Sequence, residues 1–230
     1  MTDSVSVIIP AFNEEENIQK TMELVGTLVR QTIKNFEIVV VNDGSTDRTG
    51  EIVAAAAKRN RLVRLVNHKT NEGLGKALRD GFGAAAKTYV TGYPADNDQS
   101  SRILIDLIRN RRKADLVSSY VTNLYTRPLV RRLISVFFVS LMNSIFHLHL
   151  NYYNGYFICR RNLLEKINIT SLGFTIFAEI KVKLIKKGVT FVELPYETAP
   201  RLKGKSNALR LKNIVQTILF IPRLLKDISL

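Results

Sequence analysis

The first 120 residues repeat one arrangement: a short apolar run, a turn rich in Gly, Asn, Asp or Ser, then apolar residues at helical spacing. Such a chain alternates strand with helix. Strands joined through helices run parallel, so the pattern restricts the fold to the α/β class, a Rossmann-like, mainly parallel sheet flanked by helices. The runs are Val5 to Ile9, Phe36 to Val41, Leu62 to Val66, Thr88 to Tyr93 and Leu116 to Tyr120. The first helix should place Ile18, Met22, Val25 and Val29 on one face, with Glu14, Glu15 and Glu16 in its first turn, where the helix dipole favours acids. Further helices are expected over Thr49 to Arg59, from the Gly73-Leu74-Gly75 turn through Ala86, and from Ser100 to Arg111.

Beyond Tyr120 the texture changes. Leu133 to Leu150 holds no Lys, Arg, Asp or Glu, and Arg127, Arg131 and Arg132 precede it. Eighteen uncharged residues fall just short of the roughly 20 needed to cross a bilayer, and Asn143, His147, His149 and three serines interrupt them, which favours a buried or interfacial helix. Residues 207–230 read as a separate C-terminal amphipathic helix, with Leu211, Ile214, Val215, Ile218 and Leu225 on one side, Lys212, Arg223 and Lys226 elsewhere, and Pro222 expected to kink it. Such a helix suits a membrane surface. The one long loop expected is Pro195 to Ser206.

Charge narrows the partners. Lys and Arg number 34 against 20 Asp and Glu, a formal net charge of +14. The excess favours polyanions: nucleic acid, an anionic membrane face or a phosphorylated substrate. No nucleic-acid module with interleaved aromatics is present, so a nucleic-acid partner is not expected. The N-terminus runs straight into a strand-like segment without a signal-peptide pattern, and the single cysteine, Cys159, lies among apolar residues. Both features fit a cytoplasmic setting.

In a sheet of this kind, ligands bind beyond the carboxyl ends of the strands. The polar residues collected there are Phe12, Asn13 and Glu14; Asn42, Asp43 and Ser45; Asn71 and Gly73; and Asp96, Asn97 and Asp98. An aromatic ring for a base, carboxylates for base or ribose donors and paired aspartates for a hard divalent cation together suit a nucleoside diphosphate. Spacing excludes the familiar alternatives. No Gly-x-Gly-x-x-Gly follows a strand, Gly75-Lys76 continues with Ala77 where a Walker loop needs Ser or Thr, and no Cys/His zinc cluster or Gly-x-Ser-x-Gly elbow occurs.

The order of these motifs resembles the family 2 glycosyltransferases of GT-A fold, in particular the dolichyl-phosphate mannose synthase and polyisoprenyl-phosphate glycosyltransferase branch. Val7 to Asn17, with Pro10-Ala11-Phe12-Asn13-Glu14, is similar to the family's opening strand and Pro-x-x-Asn-Glu motif. Val41-Asn42-Asp43-Gly44-Ser45-Thr46-Asp47 is similar to its Asp-Asp-Gly-Ser-x-Asp turn, and Asn71 to Ala77 follows in place. Asn154 to Phe157, Phe177-Ala178-Glu179 and Arg201-x-x-Gly204-Lys205-Ser206 extend the likeness to residue 206. The resemblance implies a GT-A domain over 1–206, with a nucleotide-sugar half (1–120) and an acceptor half (121–206).

By the same resemblance, Pro10, Phe12, Glu14, Asp43, Asn71, Lys76 and Asp96 bind the nucleotide sugar. Asp96 and Asp98 would hold Mg²⁺ or Mn²⁺ and carry catalysis. Arg127, Arg131, Glu179, Arg201, Lys205 and Ser206 serve the acceptor and its phosphate. Two departures stand out: the first Asp of the turn is Asn42, and the metal motif reads Pro94-Ala95-Asp96-Asn97-Asp98, so the family's first Asp falls on Pro94 or, with the register shifted, on Asp96. The implied reaction is inverting transfer of a sugar from a UDP- or GDP-sugar to a polyisoprenyl phosphate, with the chain peripheral on the cytoplasmic face of a membrane. A saccharide hydroxyl is the alternative acceptor; it would need a carboxylate base, for which Asp98 and Glu179 are the candidates. A nucleotide-sugar binder without activity and a basic nucleic-acid-binding domain, which the net charge of +14 permits, are the remaining alternatives.

Overall fold

The computed structural model describes residues 3–96, 101–126, 128–197 and 211–228. Among them, β1 (Val5–Ala11), β2 (Phe36–Asn42), β3 (Val63–Asn67), β4 (Tyr89–Gly92), β5 (Leu116–Val121), β6 (Phe157–Arg160) and β7 (Phe191–Tyr196) form one sheet, in the order β3-β2-β1-β4-β6-β5-β7. All neighbouring pairs are parallel except those of β6, which runs against both β4 and β5. The expected α/β architecture is therefore present, and the strand limits read from sequence hold to within a residue at either end, except that β1 runs two residues past Ile9.

The central strands are apolar on both sides because both sheet faces are covered. Along β1, Val5, Val7 and Ile9 enter one core while Ile8 enters the other. The first core is closed by α1 (Ile18–Arg30), α2 (Thr49–Arg59) and α4 (Ser101–Asn110); the second by α3 (Leu74–Ala84), α6 (Arg161–Leu164) and α7 (Ile176–Lys186). Ile18, Met22, Val25 and Val29 are all buried, as their spacing predicts. Each such side chain contributes about 1.5–3 kcal/mol by leaving water.

The start of α1 departs from expectation. Glu14, Glu15 and Glu16 form a turn before the helix and not its first turn. Their backbone is claimed by the neighbouring loop: the Glu14 N–H donates to Thr49 Oγ1 at 2.8 Å and the Glu15 N–H to Asp47 Oδ2 at 3.1 Å.

Of the two readings of the uncharged segment, buried or interfacial, its exposure goes against the buried one. It forms α5 (Leu129–Phe146), which begins earlier than expected and has only 11% of its length buried within the chain. Its C-terminal end packs with α7 and α8 (Leu211–Ile228) through Met142, Phe146, Ala178, Val182, Phe220 and Leu224. The N-terminal half stands clear, with Leu129 66%, Leu133 59% and Phe137 68% exposed. His147 ends the helix in the left-handed region at φ 48°, and the Asn143 side chain pins the following loop by donating to Leu150 O and accepting from Leu150 N–H. The C-terminal segment is helical as expected, with Pro222 inside it.

Candidate active site

The rim at the carboxyl ends of β1 and β2 is a pair of loops joined by reciprocal hydrogen bonds. The Asn13 N–H donates to Ser45 Oγ at 3.0 Å, and the Thr46 N–H returns to Asn13 Oδ1 at 2.9 Å. The Arg48 N–H donates to Glu15 Oε2 at 3.0 Å, and Asp47 caps α2 by accepting from the Thr49 N–H at 2.9 Å and its hydroxyl at 2.6 Å. Asn13 takes φ 55°, which Asn tolerates better than most side chains. This locking leaves the Phe12 ring 44% exposed at the edge of the rim. Pro10, next to the end of β1, is half-buried behind it.

Asp43 follows β2 and is buried. Its Oδ1 accepts from His68 Nδ1 at 2.8 Å and from the Glu72 N–H at 3.0 Å; its Oδ2 accepts from the Gly73 N–H at 2.8 Å. The carboxylate thus clamps the Asn71-Glu72-Gly73 turn against β2. The two turns meet so closely that a side chain on Gly44, at φ 68°, would put its Cβ 2.3 Å from the Thr70 carbonyl carbon. Glycine is required there by contact as well as by φ.

Asn42 is buried beside Asp43. Its Nδ2 donates to Asn67 Oδ1 at 2.6 Å, and its Oδ1 accepts from the Ser45 N–H at 3.3 Å. The amide therefore does the turn-closing work of an acceptor at this position without a charge.

Asp96 lies exposed beyond β4, in a loop anchored by the Thr21 hydroxyl, which donates to Ala95 O at 2.7 Å. Its charge is felt by two neighbours. Burial first, then the charges of Asp96 and Asp47, hold the Glu14 carboxyl above its ordinary range, although the Asn17 amide donates to it at 2.9 Å. Burial, with Asp96 adding to it, pushes the Tyr93 phenol up to about 12. Glu14 and Asp96 therefore share one electrostatic neighbourhood, and a cation placed there would relieve both.

Among the described residues no group of three His, Cys, Asp or Glu side chains forms a metal cage. An exposed aspartate at the rim matches instead the way Mg²⁺ is usually held, by one or two carboxylates together with substrate phosphates. Asp98, Arg127, Arg201, Lys205 and Ser206 lie outside the described residues.

The other expected residues lie on α3, α5 and α7 and in the turn that Asp43 clamps. Lys76 Nζ pairs with Asp80 one turn along α3. Arg131 is half-buried on α5. Glu179 is 1% exposed inside α7, accepting from the Thr170 N–H at 2.9 Å, the Ser171 N–H at 2.8 Å and Lys183 Nζ at 2.7 Å. Burial works against its charge, but these donors outweigh burial and leave its carboxyl below the ordinary range. Asn71 is exposed in the turn that Asp43 clamps, one residue before Glu72. Sequence reasoning passed over His68 and Asp80. The strand-end rule would have found His68, the first residue after β3.

The seven-stranded α/β sheet carries Phe12, Glu14, Asp43 and Asp96 in the loops at the carboxyl ends of its strands, where sheets of this kind bind ligands. Residues 6–168 match the family described as glycosyl transferase family 2, and the chain belongs to that family. Dolichol-phosphate mannosyltransferase of Pyrococcus furiosus is 29% identical over 96% of this chain and 64% of its own length. The uncharacterized glycosyltransferase EpsJ of Bacillus subtilis is 28% identical over 86% of this chain and 66% of its own. The chain thus spans just under two thirds of these curated relatives.

Among solved structures, glucosyl-3-phosphoglycerate synthase from Mycobacterium tuberculosis in complex with UDP superposes with a TM-score of 0.70 at 19% identity, covering 99% of this chain and 81% of that one. The same enzyme with Mg²⁺ and UDP gives 0.69, with 99% and 80% covered. The GT-A fold expected from the motifs is the fold shared with these structures.

Proposed function

We propose that the chain transfers a hexose from a UDP- or GDP-sugar to a polyisoprenyl phosphate at a membrane surface, with inversion at the anomeric carbon. The observation that carries the donor side is the shared neighbourhood of Glu14 and Asp96 at the locked rim of β1, β2 and β4. Phe12 offers a face for the base, and Asp43 and the Asn71 turn accept and donate around the ribose. Asp96, with Asp98, would hold Mg²⁺ or Mn²⁺, which supplies Lewis-acid neutralisation of the diphosphate leaving group. The complex of the mycobacterial synthase with Mg²⁺ and UDP supports this assignment by analogy of fold.

A phosphate acceptor is already an anion and needs no general base. Two carboxylates of the acceptor half are committed elsewhere: Glu179 to the 170–171 backbone and Lys183, and Glu193 to the Asn151 N–H at 2.7 Å and the Tyr152 N–H at 3.3 Å. That supports a base-free acceptor over a sugar hydroxyl. The exposed apolar half of α5, beside Arg131 and Arg132, supports a lipid carrier presented at a membrane face, as does the Pyrococcus relative's name. Arg127, Arg201, Lys205 and Ser206 are assigned to its phosphate.

Calorimetry with UDP- and GDP-sugar panels, with and without Mn²⁺, followed by turnover assays on polyisoprenyl phosphate, tests the reading. Asp96→Ala should abolish transfer while circular dichroism stays unchanged, and Asp98→Ala should first weaken metal dependence. Full activity in Asp96→Ala would sink the assignment. Binding without turnover would leave a sugar-nucleotide binder only.

A further inference from the structure

His68 leaves the end of β3 and turns inward beneath the donor rim, 8% exposed. Its backbone N–H donates to Asn42 O at 2.9 Å, so the residue is fastened to the end of β2 before its ring makes any contact. One ring edge then meets Asp43 Oδ1 at 2.8 Å. A carboxylate only accepts, so Nδ1 carries the proton toward it. The other edge, Nε2, stands 3.1 Å from Asp80 Oδ2 without the alignment of a hydrogen bond, and Asp80 in turn pairs with Lys76. Glu72 Oε1 lies 3.9 Å from Nδ1, and Arg79 Nε lies 3.8 Å from Asp80 Oδ1.

The imidazole thus stands between two acids: Asp43, itself assigned to the donor, and Asp80, the partner of Lys76. An ionised carboxylate has about four lone-pair positions. In Asp43, His68 and the Glu72 amide use Oδ1, and the Gly73 amide uses one position on Oδ2. Among the described residues, one acceptor position remains, on Oδ2. The two amides belong to the turn that Asp43 itself holds. His68, braced by β2 and β3, is the side-chain donor that fixes the carboxylate's rotation and hence the direction of the remaining lone pair.

We infer that His68 is a positioning residue for donor recognition: its Nδ1–H orients Asp43 so that the last lone pair on Oδ2 accepts from the nucleoside of the sugar nucleotide. The inference rests on the donor reading above. Its role acts through Asp43, so it governs donor affinity and leaves the chemical step alone.

The two ring edges can be tested separately. In His68→Asn an amide N–H stands where Nδ1 was; in His68→Gln the amide reaches toward Asp80 and leaves Asp43 without that donor; His68→Leu removes both. For each, donor KM and kcat are measured at saturating acceptor, UDP and GDP binding by calorimetry, and melting by circular dichroism. His68→Asn should stay within about 3-fold of the unmodified chain in donor affinity. His68→Gln and His68→Leu should lose about 10- to 100-fold in donor KM with kcat held within about 3-fold, the loss expected for a hydrogen bond to a charged group.

Combining His68→Gln with Asp43→Asn should add little to Asp43→Asn alone, because the two act on one contact. If His68→Asn falls as far as His68→Leu, if kcat drops along with affinity, or if the losses add, the positioning role is overturned and His68 is a packing residue. Failure of the unmodified chain to bind either nucleotide would instead remove the donor reading, and this inference with it.

Discussion

Helices α5 and α7 pack together in the C-terminal part of the chain and reverse the usual distribution of side chains. In α5, Leu129, Val130, Leu133 and Phe137 are exposed, while α7 buries Glu179, Lys181 and Lys183 at 1%, 0% and 6% exposure. Position and not composition decides this. The two apolar clusters on either side of α7 enclose it, so even its charged positions are inside, and each finds a partner. Lys183 donates to Glu179, to Asn168 O and to Asp227 of α8; Lys181 donates to Tyr152 O at 3.0 Å. By contrast, the apolar side chains of α5 that are buried among the described residues, Met142 and Phe146, lie toward its C-terminal end. A charge can be buried if answered, whereas a large apolar patch left outside marks an interaction site.

The strongest way to break this contrast is Glu179→Ala. The change leaves the Thr170 and Ser171 amides without their acceptor and takes from the buried Lys183 ammonium one of its two carboxylate partners, and should cost about 3–5 kcal/mol in urea denaturation. A loss under about 1 kcal/mol would mean that α7's charges are not held by pairing.

Lys181 gives a smaller effect with a sign that can be checked. Burial, opposed by the charge of Glu193, lowers its pKa from 10.5 to about 7. Between these values the unfolded chain binds the proton that the folded chain has released, so stability should rise with pH through the window and be lost as pH falls toward 7. The rise should reach about 2 kcal/mol between pH 7.5 and 9.5. Lys181→Met should flatten it. An unchanged slope in Lys181→Met would assign the rise to other groups.

The smallest stability change belongs to α5. Leu133→Glu combined with Phe137→Glu should alter unfolding by no more than about 0.5 kcal/mol, because neither side chain is packed. Co-sedimentation with phosphatidylglycerol vesicles should nonetheless fall sharply. Retained vesicle binding would direct attention from α5 to another surface.

The same contrast explains what the sequence disclosed. The nucleotide half was legible because strand alternation and turn chemistry are local: the limits of α2 and the buried face of α1 follow from their own residues. The exposure of α5 was not legible, since an uncharged helix reads alike whether the chain covers it or not. Nor was the reversal of β6, because Phe157, Ile158 and Cys159 are all buried and an apolar run has no direction. In the candidate site, the rim positions of Phe12, Glu14 and Asp96 followed from strand ends. The inward position of Glu179 and the bracing by His68 did not, since both depend on partners distant in sequence: residues 170–171 and 183 for one, 43 and 80 for the other.

The Asn42–Asn67 pair has one further consequence. Each amide carries a donor and an acceptor at nearly the same reach, so turning Asn67 by half a turn about its terminal bond would offer Nδ2 where Oδ1 now accepts. An acid at position 42 could then be met with no backbone movement, while the Ser45 N–H kept its acceptor. Acid and amide are interchangeable currencies for holding this turn, and the sequence's choice of the neutral one changes only the field at the rim: one negative charge fewer beside Asp43, and less repulsion toward any anion that approaches it.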